Sequence, residues 1–281
     1  MISKSDLKNI KLIVFDLDGT LLNSKDQVGN ETQELISKLQ EKGVTFSFAS
    51  GRLHGTLMYH AEKLNINTPL ISLDGALVKS IADNRYISEN FIPARYVRKA
   101  MAVADELLLS IALCHSETIY YTEHNSTIPH LMDKFGAKYE EVHSYDDYID
   151  ETLELVMVSD YKDNTKQALK RLSFPYTFGL NTGYYKSSKH EEIYYIEVRR
   201  KGVSKGTGLK KLCRYLKTGI TETAVMGDWY NDRTLFETKA IKVAVANAVP
   251  EIKRLADFIT KRTNEEDAAA EFLKMVLDAK K

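Results

Sequence analysis

Cysteine is scarce in this chain, and neither sign of charge prevails. Only two cysteines, Cys114 and Cys213, occur in 281 residues. They lie far apart and in no metal-binding or redox motif. That excludes a disulfide framework and leaves buried free thiols in a reducing compartment as the expectation. Lys plus Arg number 39 and Asp plus Glu number 39, a formal net charge of zero. Such a balance calls for no polyanion, so no nucleic-acid partner is expected. No apolar run approaches membrane-spanning length, and the start Met-Ile-Ser-Lys-Ser-Asp has no apolar signal core. A cytoplasmic protein with no membrane partner is the expectation. Repeats and low-complexity tracts are missing too. The remaining composition, 43% hydrophobic and 28% charged, is that of an ordinary globular chain long enough for one large or two modest domains.

One stretch organises the rest: Leu12-Ile-Val-Phe-Asp16-Leu-Asp18-Gly-Thr20-Leu-Leu22. Residues 12–15 form a short apolar, β-branched and aromatic run, the pattern of a buried strand. Alternation puts Asp16 and Asp18 on one side at its C-terminal end. Gly19 permits a sharp turn. Open parallel α/β sheets place their ligands at this edge. Two carboxylates here suit phosphoryl transfer: one attacks phosphorus, and the other serves the leaving oxygen and then water. Both tasks require a cation and amides to absorb phosphate charge. A calcium loop is the competing reading, but it needs a further ligand before its glycine, a terminal glutamate and usually a preceding helix, which are missing. A plain strand-to-turn junction would leave two aspartates at a buried edge without partners.

In chain order, Asn30 and Gln33 suggest a capping box opening a helix to about Lys42, with Leu35, Ile36 and Leu39 inward and Gly43 as its stop. A strand over 44–49 ends in Ser50-Gly51-Arg52. A helix over 53–64 and a strand over 70–73 follow, the latter closed by Asp74-Gly75. This β-α-β-α-β order predicts a parallel sheet. The rhythm then changes. Pro93 opens a helix with a stripe of Val97, Ala100, Met101, Ala104, Leu107 and Leu108. Strands are expected over 111–121, 153–158, 176–180 and 193–198, with helices over 128–135 and 164–172. These elements predict a separate α+β domain. The α/β pattern resumes at Lys201, with a helix to about Lys217, a strand over 223–226 leading to Gly227-Asp228-Trp-Tyr-Asn231-Asp232, a strand over 241–246, and helices over 250–256 and 265–277. Asn231 reads as a cap for the helix carrying Asp232. The expected organisation is an α/β core (1–82 and 199–281) interrupted by an inserted α+β domain (83–198).

Polar groups thus gather where a parallel sheet would present one rim: Asp16 and Asp18, Ser50, Lys205, and Asp228 with Asp232. Each alone has an ordinary explanation as a turn, a solvated lysine or a helix-dipole residue. Together, carboxylates from two strands can share Mg²⁺, and a lysine can offset phosphate charge.

The segments Phe15-Asp-Leu-Asp-Gly-Thr-Leu-Leu, Ala49-Ser-Gly-Arg52, Gly202-Val-Ser-Lys-Gly206 and Gly227-Asp-x-x-Asn-Asp232 resemble the four motifs of haloacid-dehalogenase-superfamily phosphatases, most closely the Cof-type branch, whose cap is inserted between the second and third motifs. The resemblance implies a Rossmann-like parallel-sheet core and an aspartyl-phosphate mechanism. Asp16 would be the nucleophile and Asp18 the general acid/base. Mg²⁺ would be held by the Asp16 side chain, the Asp18 carbonyl and Asp228. Ser50, Gly51 and Asn231 would bind the phosphoryl group, with Arg52 available to the substrate or to a structural ion pair. Lys205 would stabilise Asp16 and the phosphoryl group, Thr20 would brace the first loop, and Asp232 would support Lys205 or a metal-bound water.

Two departures stand out. Asp74-Gly-Ala replaces the family's Asn-Gly-Ala, and Ala268 follows Glu266-Asp267 where a glycine is usual; neither is expected to touch the catalytic set. The expected activity is Mg²⁺-dependent hydrolysis of a small phosphorylated metabolite: a sugar phosphate, a nucleotide or a phosphorylated cofactor. A phosphomutase and a non-catalytic binding protein are the alternatives. The cap stretch Tyr184-Tyr-Lys-Ser-Ser-Lys-His190 is either a wall above the site or a hairpin with tyrosines packed on the cap sheet. His124 and His130 are spaced poorly for a shared metal.

Overall fold

The computed structural model describes residues 2–122, 137–186 and 192–281. Its contacts divide the chain into two compact units: Met1–Gly51, Leu57–Ser88 and Ser204–Lys281 form the first, and Arg52–Thr56 with Glu89–Val203 form the second.

In the first unit, β1 (Leu12–Phe15) lies at the heart of a parallel five-stranded sheet with β2 (Thr45–Phe48), β12 (Thr223–Gly227), β13 (Ile241–Ala244) and β14 (Phe258–Ile259), in the order β14-β13-β12-β1-β2. All four β1 residues are buried, as a strand covered on both faces requires. Phe15 stacks on Phe46 of β2 with ring centroids 5.9 Å apart. Helix α1 (Lys4–Lys8) precedes β1, capped by Ser3. Helix α2 (Asn30–Glu41) turns Leu35, Ile36 and Leu39 inward and ends at Gly43, whose φ is +78°. Its cap differs from the expectation. Gly29 takes the N-cap position, and the orphan amide of Thr32 finds the Asp267 carboxylate, which lies 235 residues later in the chain. Gln33 instead donates to the Val28 carbonyl. Asp267, the residue before the departing Ala268, takes φ +63° just ahead of α9 (Ala268–Ala279) and caps α2.

The third strand, β3 (Leu70–Ser72), forms no continuous ladder with β2 among the described residues and meets its end at a parallel bridge between Ala49 and Ile71. It then runs antiparallel to β4 (Leu77–Lys79), which the sequence pattern hides within a turn, and β5 (Tyr86–Glu89) completes this ribbon. Helices α3 (His54–Lys63), α6 (Lys205–Tyr215), α7 (Arg233–Phe236) and α8 (Pro250–Leu255) complete the α/β pattern.

The second unit holds a six-stranded sheet, β10-β11-β9-β6-β7-β8, antiparallel except where β7 (Thr118–Tyr121) pairs with β8 (Lys138–Glu141). Its other strands are β6 (Ser110–Cys114), β9 (Glu154–Ser159), β10 (Leu180–Lys186) and β11 (Tyr194–Arg200). Helices α4 (Ala94–Leu107) and α5 (Lys162–Leu172) share an apolar core with it through Val97, Ala100, Leu113, Met157, Ala168 and Ile196. Leu108 leaves the expected stripe. It takes φ +55° as the helix stops and is exposed, while Val103 and Leu109 are buried instead.

Residues 176–179 are not a strand, despite their aromatic composition. Thr177 bonds back to Ser173 and Arg171, and Lys99 donates to the Tyr176 carbonyl, so side chains hold a loop there and β10 starts at Leu180. Tyr184 stacks on Tyr194 and Tyr185 on Tyr195. The helix expected over 128–135, His124, His130 and residues 187–190 lie outside the described residues. Both cysteines are free and buried, and burial raises their thiol pKa values. Among the described residues, no helix is long and apolar enough to cross a membrane.

One close contact fixes the start of α6. A Cβ on Gly206 would lie 2.1 Å from the Thr234 carbonyl oxygen, a backbone atom with no freedom to yield. The Gly206 amide also donates to the Thr234 hydroxyl at 3.0 Å. Gly206→Ala is expected to separate α6 from α7 and lower stability by about 2–3 kcal/mol. Urea unfolding checks this; an unchanged midpoint would show that the contact relaxes freely.

Candidate active site

The site assembles at the C-terminal ends of β1, β2 and β12. Asp16 follows β1 directly, and its amide donates to the Met226 carbonyl of β12. Asp16 is buried, whereas Asp18 is half-buried, nearer the solvent side of the same edge. Ser50 is buried past the end of β2; its amide donates to the Ile71 carbonyl, and its own carbonyl accepts from the Asp74 amide. Gly51 lies beside Asp74, whose carboxylate would stand 3.5 Å from a Cβ placed there. Arg52 is buried and groups with the second unit.

Lys205 is the first residue of α6, whose amides are capped by Ser204. It is fully buried, and its ammonium donates to Asp16 Oδ1 at 2.6 Å and to Asp232 Oδ1 at 2.7 Å. Asp232 is occupied on its other oxygen as well: Oδ2 accepts from the amides of Asp228 and Trp229 at 2.9 and 3.1 Å. It therefore orients Lys205 and the loop after β12 at once. Asp228 accepts the Thr20 hydroxyl at 2.7 Å, so Thr20 ties the first loop to the fourth. Asn247 braces the same loop from outside, donating to the Gly19 carbonyl at 2.7 Å.

Two sequence expectations change here. Asn231 lies within a 3₁₀ turn (Tyr230–Asp232) rather than capping a helix, and its side chain donates to Asp74 Oδ1 at 3.1 Å. Asp74, read from the sequence as a turn residue remote from the chemistry, also stands 3.9 Å from the Lys205 ammonium and so belongs to the cluster. A mark of its role is the backbone. Leu73 and Asp74 take φ of +47° and +48°, a left-handed conformation that non-glycine residues rarely hold and that concentrates at functional sites. The position after a third strand was the available signal, but Asp-Gly is also an ordinary turn pair.

Electrostatics follow from this crowding. Burial raises the Asp16 pKa well above the usual carboxylate range, and the nearby Asp232 and Asp228 raise it further, with Lys205 opposing. Asp228 is pushed up to about 7 by burial and by Asp232, against the Thr20 hydrogen bond and Lys205. For Lys205, burial alone would lower the pKa, but Asp16, Asp232 and Asp74 outweigh it and hold the ammonium well above its usual value.

Ligand oxygens of Asp16, Asp228 and Asp232 all lie within 4.8 Å of one another, a set that could hold a metal ion. Both Asp232 oxygens serve Lys205 and two amides, while Asp16 and Asp228 also bond to each other, so these two carboxylates stand side by side in the cluster. The backbone respects this space: at Gly19, with φ +81°, a Cβ would stand 2.6 Å from Asp228 Oδ2. Hard oxygen donors in carboxylate excess fit a hard divalent cation.

The comparisons agree with this geometry. The family model described as haloacid dehalogenase-like hydrolase matches residues 13–273. YkrA of Bacillus subtilis (strain 168) is 30% identical over 263 residues, covering 92% of this chain and 95% of its own. A second protein of that organism, 5-amino-6-(5-phospho-D-ribitylamino)uracil phosphatase YitU, is 25% identical over 269 residues, covering 94% and 96%. A haloacid dehalogenase-like hydrolase structure from Bacteroides thetaiotaomicron superposes with a TM-score of 0.84 at 25% identity, covering 95% of this chain and 99% of that one. The match across nearly the whole chain, on a parallel sheet whose rim gathers these carboxylates around one lysine, makes this chain a Cof-type member of the haloacid dehalogenase-like hydrolases, a phosphoric monoester hydrolase.

Proposed function

We propose that the protein is a Mg²⁺-dependent phosphatase that hydrolyses a small phosphorylated metabolite through an aspartyl-phosphate on Asp16. The observation that carries this reading is the buried Lys205 ammonium, shared by Asp16 and Asp232 beside the Thr20-braced Asp228. That arrangement holds Asp16 Oδ1 on Lys205 and sets the carboxylate beside Asp228. The second unit is read as the inserted cap. The relative YitU, whose name specifies a phosphoribityl chain on an aminouracil ring, favours a phosphorylated small molecule over a macromolecule.

In the proposed cycle, a carboxylate oxygen of Asp16 attacks phosphorus and the bond to the leaving oxygen breaks. Asp18 gives that oxygen its proton. Asp18 then takes a proton from water as the water attacks the aspartyl-phosphate, which frees inorganic phosphate and restores Asp16. The Ser50 hydroxyl, the Gly51 amide and Asn231 are assigned to the phosphoryl oxygens, and Lys205 to charge on the transferring group. Mg²⁺ would be held by Asp16, Asp228 and the Asp18 carbonyl, where its charge neutralises phosphoryl oxygens. Asp74 holds Asn231 in place and adds to the field around Lys205.

Two measurements test this. Asp16→Asn keeps the size of the side chain but removes the nucleophile, so phosphate release should fall roughly 10³-fold or more with the fold intact by circular dichroism. Retained turnover would refute the mechanism. The second concerns the cation. A carboxylate whose folded pKa is raised, to about 7 for Asp228, contributes stability that is fully present below its unfolded pKa and lost as pH rises through 7. Asp16 shifts in the same direction. Mg²⁺ binds the ionised form and recovers what is lost. The rise in Tm on adding Mg²⁺ should therefore be larger at pH 8 than at pH 5; an equal rise at both would remove Asp228 from the cation site.

A further inference from the structure

Between the carboxylates Asp228 and Asp232 stand Trp229 and Tyr230, the two variable positions of the fourth motif. Trp229 is the only tryptophan in the chain. Both rings are about half exposed, at 46% and 51%, and neither belongs to the apolar core. They contact each other edge to face, with centroids 5.2 Å apart and planes 73° to one another. Scattered exposed aromatics need no explanation. These two differ because their backbone is part of the catalytic cluster. The Trp229 amide is held by Asp232 Oδ2, the carboxylate whose other oxygen binds Lys205, and the Trp229 carbonyl accepts from the Asp232 amide. Consecutive Cα atoms are ~3.8 Å apart, so both rings are rooted within two residues of Asp228. In an edge-to-face pair, one ring keeps both faces clear of its partner, and such a face accepts a flat ring by stacking. Tyrosine and tryptophan also supply this area at little cost in side-chain entropy.

We infer that Trp229 and Tyr230 form an aromatic platform at the rim of the site that selects phosphomonoesters whose leaving group carries a planar heteroaromatic ring. This rests on the phosphatase reading above and adds the substrate class to it. The phosphate is held by the carboxylate–lysine–cation cluster, and the arm between phosphate and ring sets how far along the rim the ring lies. A ring-free polyol phosphate meets the same cluster but gains nothing from the platform.

Matched pairs test the inference. UMP and ribose phosphate share an arm and differ in the ring, as do FMN and ribitol phosphate. In at least one pair, kcat/KM for the ring-bearing member should exceed that of its partner tenfold or more. That ratio should fall at least tenfold in Trp229→Ala/Tyr230→Ala and persist in Trp229→Phe/Tyr230→Phe, with the change carried by KM. A ratio near one in both pairs, or a ratio unchanged by the alanine pair, overturns the platform while phosphate release leaves the phosphatase reading standing. Absence of release from every compound would instead strike the phosphatase reading. The platform is then decided by binding alone: UMP should quench Trp229 fluorescence in the Asp16→Asn protein more than ribose phosphate does, and equal response to the two overturns it.

Discussion

A buried ammonium shared by two carboxylates is the interaction on which the rest of this structure depends. Lys205 lies 2.6 Å from Asp16 and 2.7 Å from Asp232 with no exposure to water. At an effective dielectric of about 20, each pair at that separation attracts by about 6 kcal/mol, the same order as the several kcal/mol needed to bury each ion. The pairing therefore adds little net stability, and its value is positional. It joins the first residue of α6, the end of β1 and the turn after β12 at one point. The close contact of Gly206 with Thr234 and the Ser204 cap hold the helix that delivers the lysine. The two amides on Asp232 Oδ2 hold the turn that delivers Asp228.

Much of this was legible in the sequence because the chemistry sits in short local signals. An apolar run ending in Asp16 and Asp18 can only be a strand meeting its turn, and β1 has that form. The local pattern places Lys205 at the start of its helix, and the structure adds the Ser204 cap; its role is implied only by the resemblance of the surrounding motif. What was not legible depended on partners far along the chain. Nothing near Asn30 announces that Asp267 caps its helix. Strand β4 spans three residues and is specified by pairing with β3, not by its own pattern. The segment 176–179 has strand-like side chains, yet a local bond from Thr177 and distant ones from Lys99 hold it as a loop.

Asp74 illustrates the limit most sharply. Its sequence context, Asp before Gly after a short strand, is satisfied equally by a surface turn and by a site residue. The distinction arises only when the turn folds against α6 and the loop after β12, where Asp74 meets Asn231 and the Lys205 ammonium. A left-handed backbone at both Leu73 and Asp74 shows that the fold holds this turn against its local preference. Carrying a carboxylate here where the resembling family has an amide also changes the charge of the cluster, which a comparison of turn chemistry alone does not register.

That extra charge bears on the order of events. Asp16, Asp74, Asp228 and Asp232 all act on the same ammonium, so negative charge exceeds positive in the cluster. Burial and this excess of negative charge together push the carboxyl pKa values of Asp16 and Asp228 upward. A protonated Asp16 is a poor nucleophile, and a phosphate dianion approaching ionised carboxylates is repelled. In the proposed mechanism, a divalent cation held by Asp16 and Asp228 would offset both, by adding positive charge to the cluster. Under the proposed mechanism, one cation would thus serve both the phosphate and the nucleophile.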